Sequence, residues 1–427
     1  MKIRLALLPA ALLALAGVGN AQIGAGNGTA IALAQKSPAV QTAYNYLIDQ
    51  AEKIQDAKLR SRTLDAIRNP ATCVYHRANL SQAQEQAIVQ QLLNAGLADP
   101  NDQNNFPGGI IAGVYPAIVN DGTACPQLPQ RFFSAPGSTW NGGHHSYPGG
   151  LMIHEANNDT SDQYLANQYR AMYGQQANGF VALDPHVLDK KPDESSTVFI
   201  DQDIIVGAPI WHDWGKSIVF QWNADGSEFP ELNFGGNGVS DNYGQPGSSK
   251  TGAHHIISIA ESMARGLSPA FVITQASAHS NPTSGNEYKV VNWIHAAAIM
   301  AQIDPVATGY LFVDKSGNLR LPPLRRLGQI DLADQGQTNV LAEYTLHNLS
   351  DADFTYSGPA VVAAQTILAT LAPRYGYDPN QTSVYNNGFR NPVLSFETAE
   401  HILMLYSGQG LAGVKAELDK LKKDHII

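Results

Sequence analysis

Apolar positions recur every three to four residues along most of the chain, which is the period of an amphipathic helix. The pattern is clear over residues 38–68 and 81–97, and it returns in several segments between residues 151 and 302. An alternation typical of strands runs over residues 306–321, with a Ser-Gly turn in its middle. The pattern therefore predicts a predominantly all-α fold with helical flanks, long loops and one small β-hairpin.

The first 21 residues have a different pattern. Lys2 and Arg4 precede an apolar run from Leu5 to about Val18, and a short stretch of small residues ends at Ala21. This arrangement predicts a secretory signal peptide that is cleaved near Ala21, because the apolar run is too short to span a membrane. We therefore expect a secreted or periplasmic protein without a membrane anchor.

The sequence contains two cysteines, Cys73 and Cys125. In an oxidising compartment an even number of cysteines favours a disulfide, and the lack of C-x-x-C spacing argues against a metal site or a catalytic thiol. We therefore predict a bridge between Cys73 and Cys125. It would tie down the predicted loop over residues 99–143, which is rich in proline, glycine and asparagine.

Acidic residues outnumber basic ones, and the formal net charge is -10 at pH 7. A surface of this sign disfavours polymeric nucleic acid and anionic membranes as partners. An anionic small molecule would have to be held locally, by a metal or by a few well-placed cations. The sequence leaves the oligomeric state open.

Histidines cluster in the middle of the chain. The stretch HHSYPGGLMIHEANN places His144 and His145 before a Pro-Gly-Gly turn and His154 on the predicted helix that follows. Next comes HDWGK, in which His212 and Asp213 are adjacent. The later motifs GAHHIIS, ASAHSNP and AQIDP supply His254, His255, His279 and Asp304. The motifs are separated widely enough to lie on successive helices.

Imidazole and carboxylate groups on facing helices are the ligands that a divalent metal needs inside a helical bundle. Neighbours such as His212 and Asp213 point about 100° apart on a helix, but both can reach a metal that lies at the helix end. The alternative is a helical protein whose histidines only cap helices and pack. The ordered set favours one or two divalent ions, and it does not distinguish Mn, Fe, Ni, Co, Zn or Mg.

These motifs resemble the HD-domain superfamily of metal-dependent phosphohydrolases, in particular its exoribonuclease-like branch. The resemblance covers about residues 140–310 and implies an HD-domain-like helical bundle. It implies that the metal ligands are His154, His212, Asp213, His255 and His279. It also implies that Lys216, one turn after Asp213, contacts a substrate phosphate. The closing aspartate of the family aligns nearer Ala301, which is a departure from its pattern. The only carboxylate available there is Asp304, which we expect to be the last ligand.

Four regions are expected along the chain: a signal peptide over 1–21, a helical region with a disulfide-tied loop over 22–139, the metal-binding catalytic core over 140–310, and a hairpin with C-terminal helices over 311–427. A glycine-rich loop over residues 223–251 is a candidate lid.

The resemblance implies an exported phosphohydrolase that cleaves a nucleotide-like phosphomonoester or phosphodiester with metal-activated water. Asp213 and Lys216 would be its catalytic residues. Three further histidines, which are His144, His145 and His254, are candidate substrate contacts, as is Lys216. Two alternatives remain open: a di-iron oxygenase of the HD type, and an exported metal-binding protein without activity.

Overall fold

The computed structural model describes residues 23–119, 124–139, 143–174, 198–236, 249–283 and 285–427. The predicted signal peptide lies outside these residues, as does the centre of the glycine-rich loop, residues 237–248. The described part of the chain is mainly helical, which confirms the predicted fold class. Its two small sheets contain two antiparallel strands each.

The helices, in chain order, are α1 (Asn27–Lys36), α2 (Pro38–Lys53), α3 (Ala57–Arg68), α4 (Gln82–Asn94), α5 (Asp102–Asn105), α6 (Gly109–Val114), α7 (Gly150–Gly174), α8 (Gln202–His212), α9 (Lys216–Val219), α10 (Ala253–Ala264), α11 (Pro269–Ala276), α12 (Glu287–Ala301), α13 (Ala342–Ser350), α14 (Phe354–Leu371), α15 (Thr382–Tyr385), α16 (Asn391–Glu397) and α17 (Ala399–Lys423). The strands are β1 (Asn233–Phe234), β2 (Thr251–Gly252), β3 (Phe312–Val313) and β4 (Leu319–Arg320).

Capping residues set several of these boundaries. The single helix predicted over residues 38–68 is wrong, because the chain leaves helical geometry at Ile54 and Asp56 starts α3 by accepting a hydrogen bond from the Leu59 amide at 2.7 Å. Ser81 caps α4 in a capping box. The predicted hairpin is confirmed, since β3 pairs with β4 across a turn.

Most of the apolar side chains form one buried cluster in which α7 packs against α2, α8 and α13, and α10 packs against α12. This cluster crosses the predicted boundary at residue 139, because it includes Val40, Leu47 and Phe132 together with Ile256. A second buried cluster is formed by α14, α16 and α17, and Tyr147 joins it. The C-terminal helices therefore pack beside the start of α7.

Cys73 and Cys125 form the predicted disulfide. The buried guanidinium of Arg265 donates a hydrogen bond to the Cys73 carbonyl at 2.9 Å and pairs with Glu261 of α10 at 2.7 Å. The disulfide-tied loop is thereby fixed to the helix that carries His254 and His255. No helix among the described residues is long and apolar enough to cross a membrane.

Candidate metal centre

The first histidine motif reaches the centre of the molecule through a tight glycine turn. Gly149 has a φ of +84°, and a Cβ atom at Gly150 would lie 1.9 Å from the carbonyl oxygen of His145. The turn therefore requires glycine at both positions. It lets α7 start directly beside His145, and His154 follows on the second turn of the helix with 1% of its side chain exposed.

The His-Asp pair lies where α8 ends. His212 is the last residue of the helix, and Asp213 has left helical geometry with φ -108° and ψ 7°. This change of backbone direction brings both side chains to the same point. Two adjacent residues at a helix end can therefore face one metal position, as expected from the HDWGK motif.

Four side-chain atoms from three segments form a ring around this point, which we name the ligand ring. His154 Nε2 lies 3.2 Å from Asp213 Oδ2 and 3.1 Å from Asp351 Oδ1. His212 Nε2 lies 3.3 Å from the same Asp213 oxygen and 3.2 Å from the same Asp351 oxygen. Nitrogen and oxygen atoms therefore alternate around the ring, and all four side chains are buried.

The spacing of the ligand ring matches a divalent metal site. Metal–ligand bonds of about 2.0–2.2 Å place neighbouring ligand atoms about 2.8–3.1 Å apart in octahedral geometry and about 3.3–3.6 Å apart in tetrahedral geometry. The four separations of 3.1–3.3 Å around the ligand ring lie within these limits. These buried histidine and aspartate groups could therefore hold a metal ion.

Both imidazoles of the ligand ring are oriented through their other nitrogen. His154 Nδ1 lies 2.7 Å from Asp353 Oδ1, and His212 Nδ1 lies 2.8 Å from the carbonyl oxygen of Pro209. A carbonyl or carboxylate oxygen only accepts, so each Nδ1 carries a proton. This is how metal-binding histidines are usually held, with Nε2 directed at the cation.

The ligand ring requires positive charge at its centre. Burial opposes ionisation of Asp213, but the charges of His212 and Lys216 hold its pKa well below the usual range. Burial also raises the pKa of Asp351, but the charge of His212 and the hydrogen bond from His154 lower it further, to well below the usual range. Burial lowers the pKa of His212, yet the nearby carboxylates raise it well above its usual value. Either protons on the imidazoles or a bound divalent cation would supply this positive charge.

The second oxygen of Asp213 faces two further histidines. His254 Nε2 lies 3.0 Å from Asp213 Oδ1, and His279 Nε2 lies 4.0 Å from it. Their Nδ1 atoms are again engaged, with Glu231 Oε2 at 2.6 Å and with Thr251 Oγ1 at 2.9 Å respectively. Asp213 is therefore shared between the ligand ring and an adjacent pair of imidazoles.

Lys216 and His144 lie beside the ligand ring. Lys216 is 2% exposed, and its ammonium contacts Asp213 Oδ2 and donates to His144 Nε2 at 3.1 Å. Burial and the charge of Lys216 lower the pKa of His144 well below its usual value, so its imidazole is neutral and accepts this bond. His145 faces away from the ring and contacts Asp353 Oδ2 at 2.8 Å.

Two predicted ligands have to be corrected. His255 is buried behind His279, with its ring stacked on that of His279 at 4.0 Å and its Nε2 bonded to the Ala276 carbonyl. Its neighbour His254 reaches Asp213 instead, because successive side chains on a helix point about 100° apart. Asp304 is exposed, and its carboxylate accepts hydrogen bonds from the amides of Val306 and Ala307 within its own turn.

The residues that take the place of Asp304 lie farther along the chain. Asp351 closes the ligand ring from the 3-10 turn Asp351–Asp353 between α13 and α14, and Asp353 orients His154. This turn belongs to the region that we separated from the catalytic core in the sequence analysis. The stretch LHNLSDAD offered a signal, because it combines a histidine with two acids after a helical pattern.

A cavity of about 470 Å³ opens above the ligand ring. Its polar lining includes the ring residues His154, Asp213 and Asp351, and on its walls lie Lys216, His144, His254, His279, Ser138, Asn348, Phe220 and Phe354. Sites for small molecules have volumes of about 300–1,000 Å³, so the cavity can admit one. Comparison with protein-family models, with curated proteins and with solved structures finds no match for this chain.

Proposed function

We propose that this protein is an exported metal-dependent phosphohydrolase that cleaves a small phosphomonoester or phosphodiester. The observation that carries the proposal is the convergence of four ligand atoms at metal spacing beside a buried lysine. A divalent cation held in the ligand ring would supply a Lewis acid that activates water and offsets phosphoryl charge. The resemblance of the motifs to HD-domain proteins points to the same reaction class.

Each residue of the site has a distinct role in this proposal. His154, His212 and Asp351 would hold a first cation together with Asp213 Oδ2. If a second cation is bound, Asp213 Oδ1 and the imidazoles of His254 and His279 would hold it. Asp213 would then belong to both sets of ligands.

Lys216 favours an anionic substrate. Its ammonium lines the cavity and is held between Asp213 and His144, so it can donate hydrogen bonds to phosphoryl oxygens without leaving its place. The neutral His144 ring supports the lysine and adds no charge of its own. Phe220 and Phe354 offer apolar surface to the organic part of an ester.

The test is phosphate release by the chelated and reloaded protein. Mn²⁺, Co²⁺, Ni²⁺, Zn²⁺ and Mg²⁺ would each be supplied with 4-nitrophenyl phosphate, bis(4-nitrophenyl) phosphate and a panel of nucleotides. We expect hydrolysis that depends on the metal. Metal binding without hydrolysis of any of these esters would overturn the proposal. Oxygen consumption by the iron-loaded protein would favour the di-iron oxygenase instead.

Replacing Lys216 tests the substrate contact. We expect Lys216→Met to lower kcat/KM for the best ester about 10- to 100-fold, which is what the loss of one charge-assisted hydrogen bond costs. Lys315→Met is the matched control, because Lys315 lies on the hairpin with 83% of its side chain exposed. Equal kcat/KM values for the two variants would remove Lys216 from the site.

A further inference from the structure

The orientation of His154 depends on a part of the chain far from α7. His212 is oriented by the Pro209 carbonyl of its own helix, three residues away. His154 is oriented by Asp353, which is 199 residues away in sequence. His212 Nδ1 also lies 3.3 Å from Glu155 Oε2 of α7. The hydrogen bond that orients His212 is therefore local in the chain, whereas the one that orients His154 joins α7 to the 3-10 turn that precedes α14.

Asp353 is itself held in place by a second imidazole. Its Oδ1 lies 2.7 Å from His154 Nδ1, and its Oδ2 lies 2.8 Å from His145 Nε2. A carboxylate that engages two rings through its two oxygens cannot rotate without breaking one of the bonds. The position of His145 therefore determines the direction in which Asp353 presents its oxygen to His154.

His145 is in turn anchored by three side chains. Its ring Nδ1 lies 3.1 Å from the Tyr147 hydroxyl and 3.3 Å from Glu400 Oε1, and its backbone amide donates to Ser357 Oγ at 3.0 Å. Ser357 is on α14 and Glu400 is on α17, and Tyr147 is buried in the second apolar cluster that these helices form. His145 has a φ of 47°, which a residue other than glycine keeps only when its surroundings enforce it.

We propose that Asp353, His145 and Glu400 are positioning residues, and that through them the docking of α14 and α17 sets the affinity of the ligand ring for its metal. This inference rests on the proposed metal site, although it does not depend on the reaction catalysed there. A carboxylate behind a metal-binding histidine fixes the ring and increases its basicity, and loss of such a partner typically lowers metal affinity about 10- to 100-fold.

The experiment measures the affinity of the purified full-length protein for Mn²⁺ and Co²⁺ by calorimetric titration or chelator competition. The Co²⁺ absorption spectrum gives a second readout. We expect Asp353→Asn to bind both ions about 10- to 100-fold more weakly. Asp353→Glu, which keeps the charge, should recover part of the loss, and Glu400→Gln should show a smaller loss of about 2- to 5-fold on the same basis.

Glu397→Gln is the matched control. Glu397 also pairs with a histidine, His401 at 3.0 Å, and lies three residues before Glu400 at the end of α16, but the His401 side chain of that pair is 48% exposed. This variant should bind metal as the parent does. If Asp353→Asn does not fold, Glu400→Gln and Asp353→Glu carry the test.

The outcomes separate this inference from the proposed function. Parental metal affinity in the Asp353 and Glu400 variants would overturn the inference and leave the phosphohydrolase untouched. If the parent binds metal and hydrolyses no ester, the proposed phosphohydrolase activity is wrong. The metal affinities of the Asp353 and Glu400 variants still test the inference in that case. A parent that binds neither Mn²⁺ nor Co²⁺ would overturn both.

Discussion

Two buried polar regions lie on neighbouring faces of α7, and they differ in what they can hold. His154 faces the ligand ring, where nitrogen and oxygen atoms alternate at 3.1–3.3 Å. The adjacent face carries three fully buried acids, Glu155, Asp159 and Asp162, which we name the acid row. Residue types alone would suggest a cation site in either region.

The acid row lacks the convergence of the ligand ring. The buried His347 approaches Asp162 only to 3.5 Å, and neither its ring nitrogens nor the Asp162 oxygens have a hydrogen-bond partner among the residues that the structure describes. Among the described residues, no group of three or more ligand atoms that lie within 4.8 Å of one another includes a member of the row, although Glu155 Oε2 lies 3.3 Å from His212 Nδ1. Proximity of side chains is therefore not sufficient, because the ligand atoms must also point at one place.

The two regions also differ in the ionisation of their carboxyl groups. In the ligand ring, histidine and lysine charges outweigh burial and keep the pKa of Asp213 and Asp351 well below the usual range. In the acid row burial prevails, and it raises the pKa of Asp162 well above normal and that of Asp159 to about 7. The carboxylates of the ring thus stay ionised, as metal ligands must be, whereas Asp159 and Asp162 of the row become neutral by taking up protons.

The largest expected effect comes from Asp213. Asp213→Asn removes the charge shared by the ligand ring and the His254 and His279 pair, so bound metal per chain and metal-dependent activity should both be lost. The loss should exceed the about 10- to 100-fold drop typical of a residue that only orients a ligand. Elemental analysis and calorimetric titration with Mn²⁺ would measure it.

Asp162→Asn is the comparison variant for this experiment. It removes one carboxylate from the acid row, where protonation already offsets the charge, so metal content should match that of the parent. Equal metal content in the Asp213 and Asp162 variants would contradict the distinction between the two regions.

The sequence predicted those parts of the site that are local in the chain. His154 follows a Pro-Gly-Gly turn, and His212 and Asp213 lie together at a helix end, so short motifs contained the necessary information. The helical fold and the disulfide followed from periodicity and from the number of cysteines. These features depend on residues close in sequence or on composition, and neither requires knowledge of tertiary packing.

The choice between His254 and His255 could not be made in this way. α10 is buried along almost its whole length, so its apolar pattern does not reveal which face points at the cavity. Asp351 and Asp353 were missed for a related reason. They reach the ligand ring only because α13 and the 3-10 turn Asp351–Asp353 pack beside α7, which no local pattern in the sequence specifies.

A smaller effect is expected in the acid row, on stability rather than on metal binding. Asp159 accepts hydrogen bonds from the Tyr46 hydroxyl at 2.6 Å and from Gln163 at 2.7 Å, and burial raises its pKa to about 7. The folded protein therefore holds the Asp159 proton more tightly than the unfolded chain does. The resulting stability is fully present below about pH 4 and is lost as the pH rises through about 7.

Asp159→Asn should remove this pH dependence. We expect the free energy of unfolding of the parent to fall by roughly 2–4 kcal/mol more than that of the variant between pH 4 and pH 8. Urea unfolding at several pH values would measure it, with the exposed Asp49 of α2 changed to Asn as the control. Parallel curves for the parent and Asp159→Asn would mean that this carboxyl is already ionised in the folded protein.

The smallest effect is expected at Asp304, where an acid that resembles a ligand in sequence has a purely local role. Its carboxylate accepts from the Val306 amide at 2.9 Å and from the Ala307 amide at 3.0 Å, beside Pro305 and open to solvent. Asp304→Ala should cost about 0.5–1 kcal/mol in the free energy of unfolding, the usual price of losing such a cap, and should leave Mn²⁺ affinity unchanged. The same titration on Asp351→Ala should show a severe loss, because that carboxylate closes the ligand ring. If Asp304→Ala lowered the Mn²⁺ affinity while Asp351→Ala did not, Asp304 and not Asp351 would be the metal ligand.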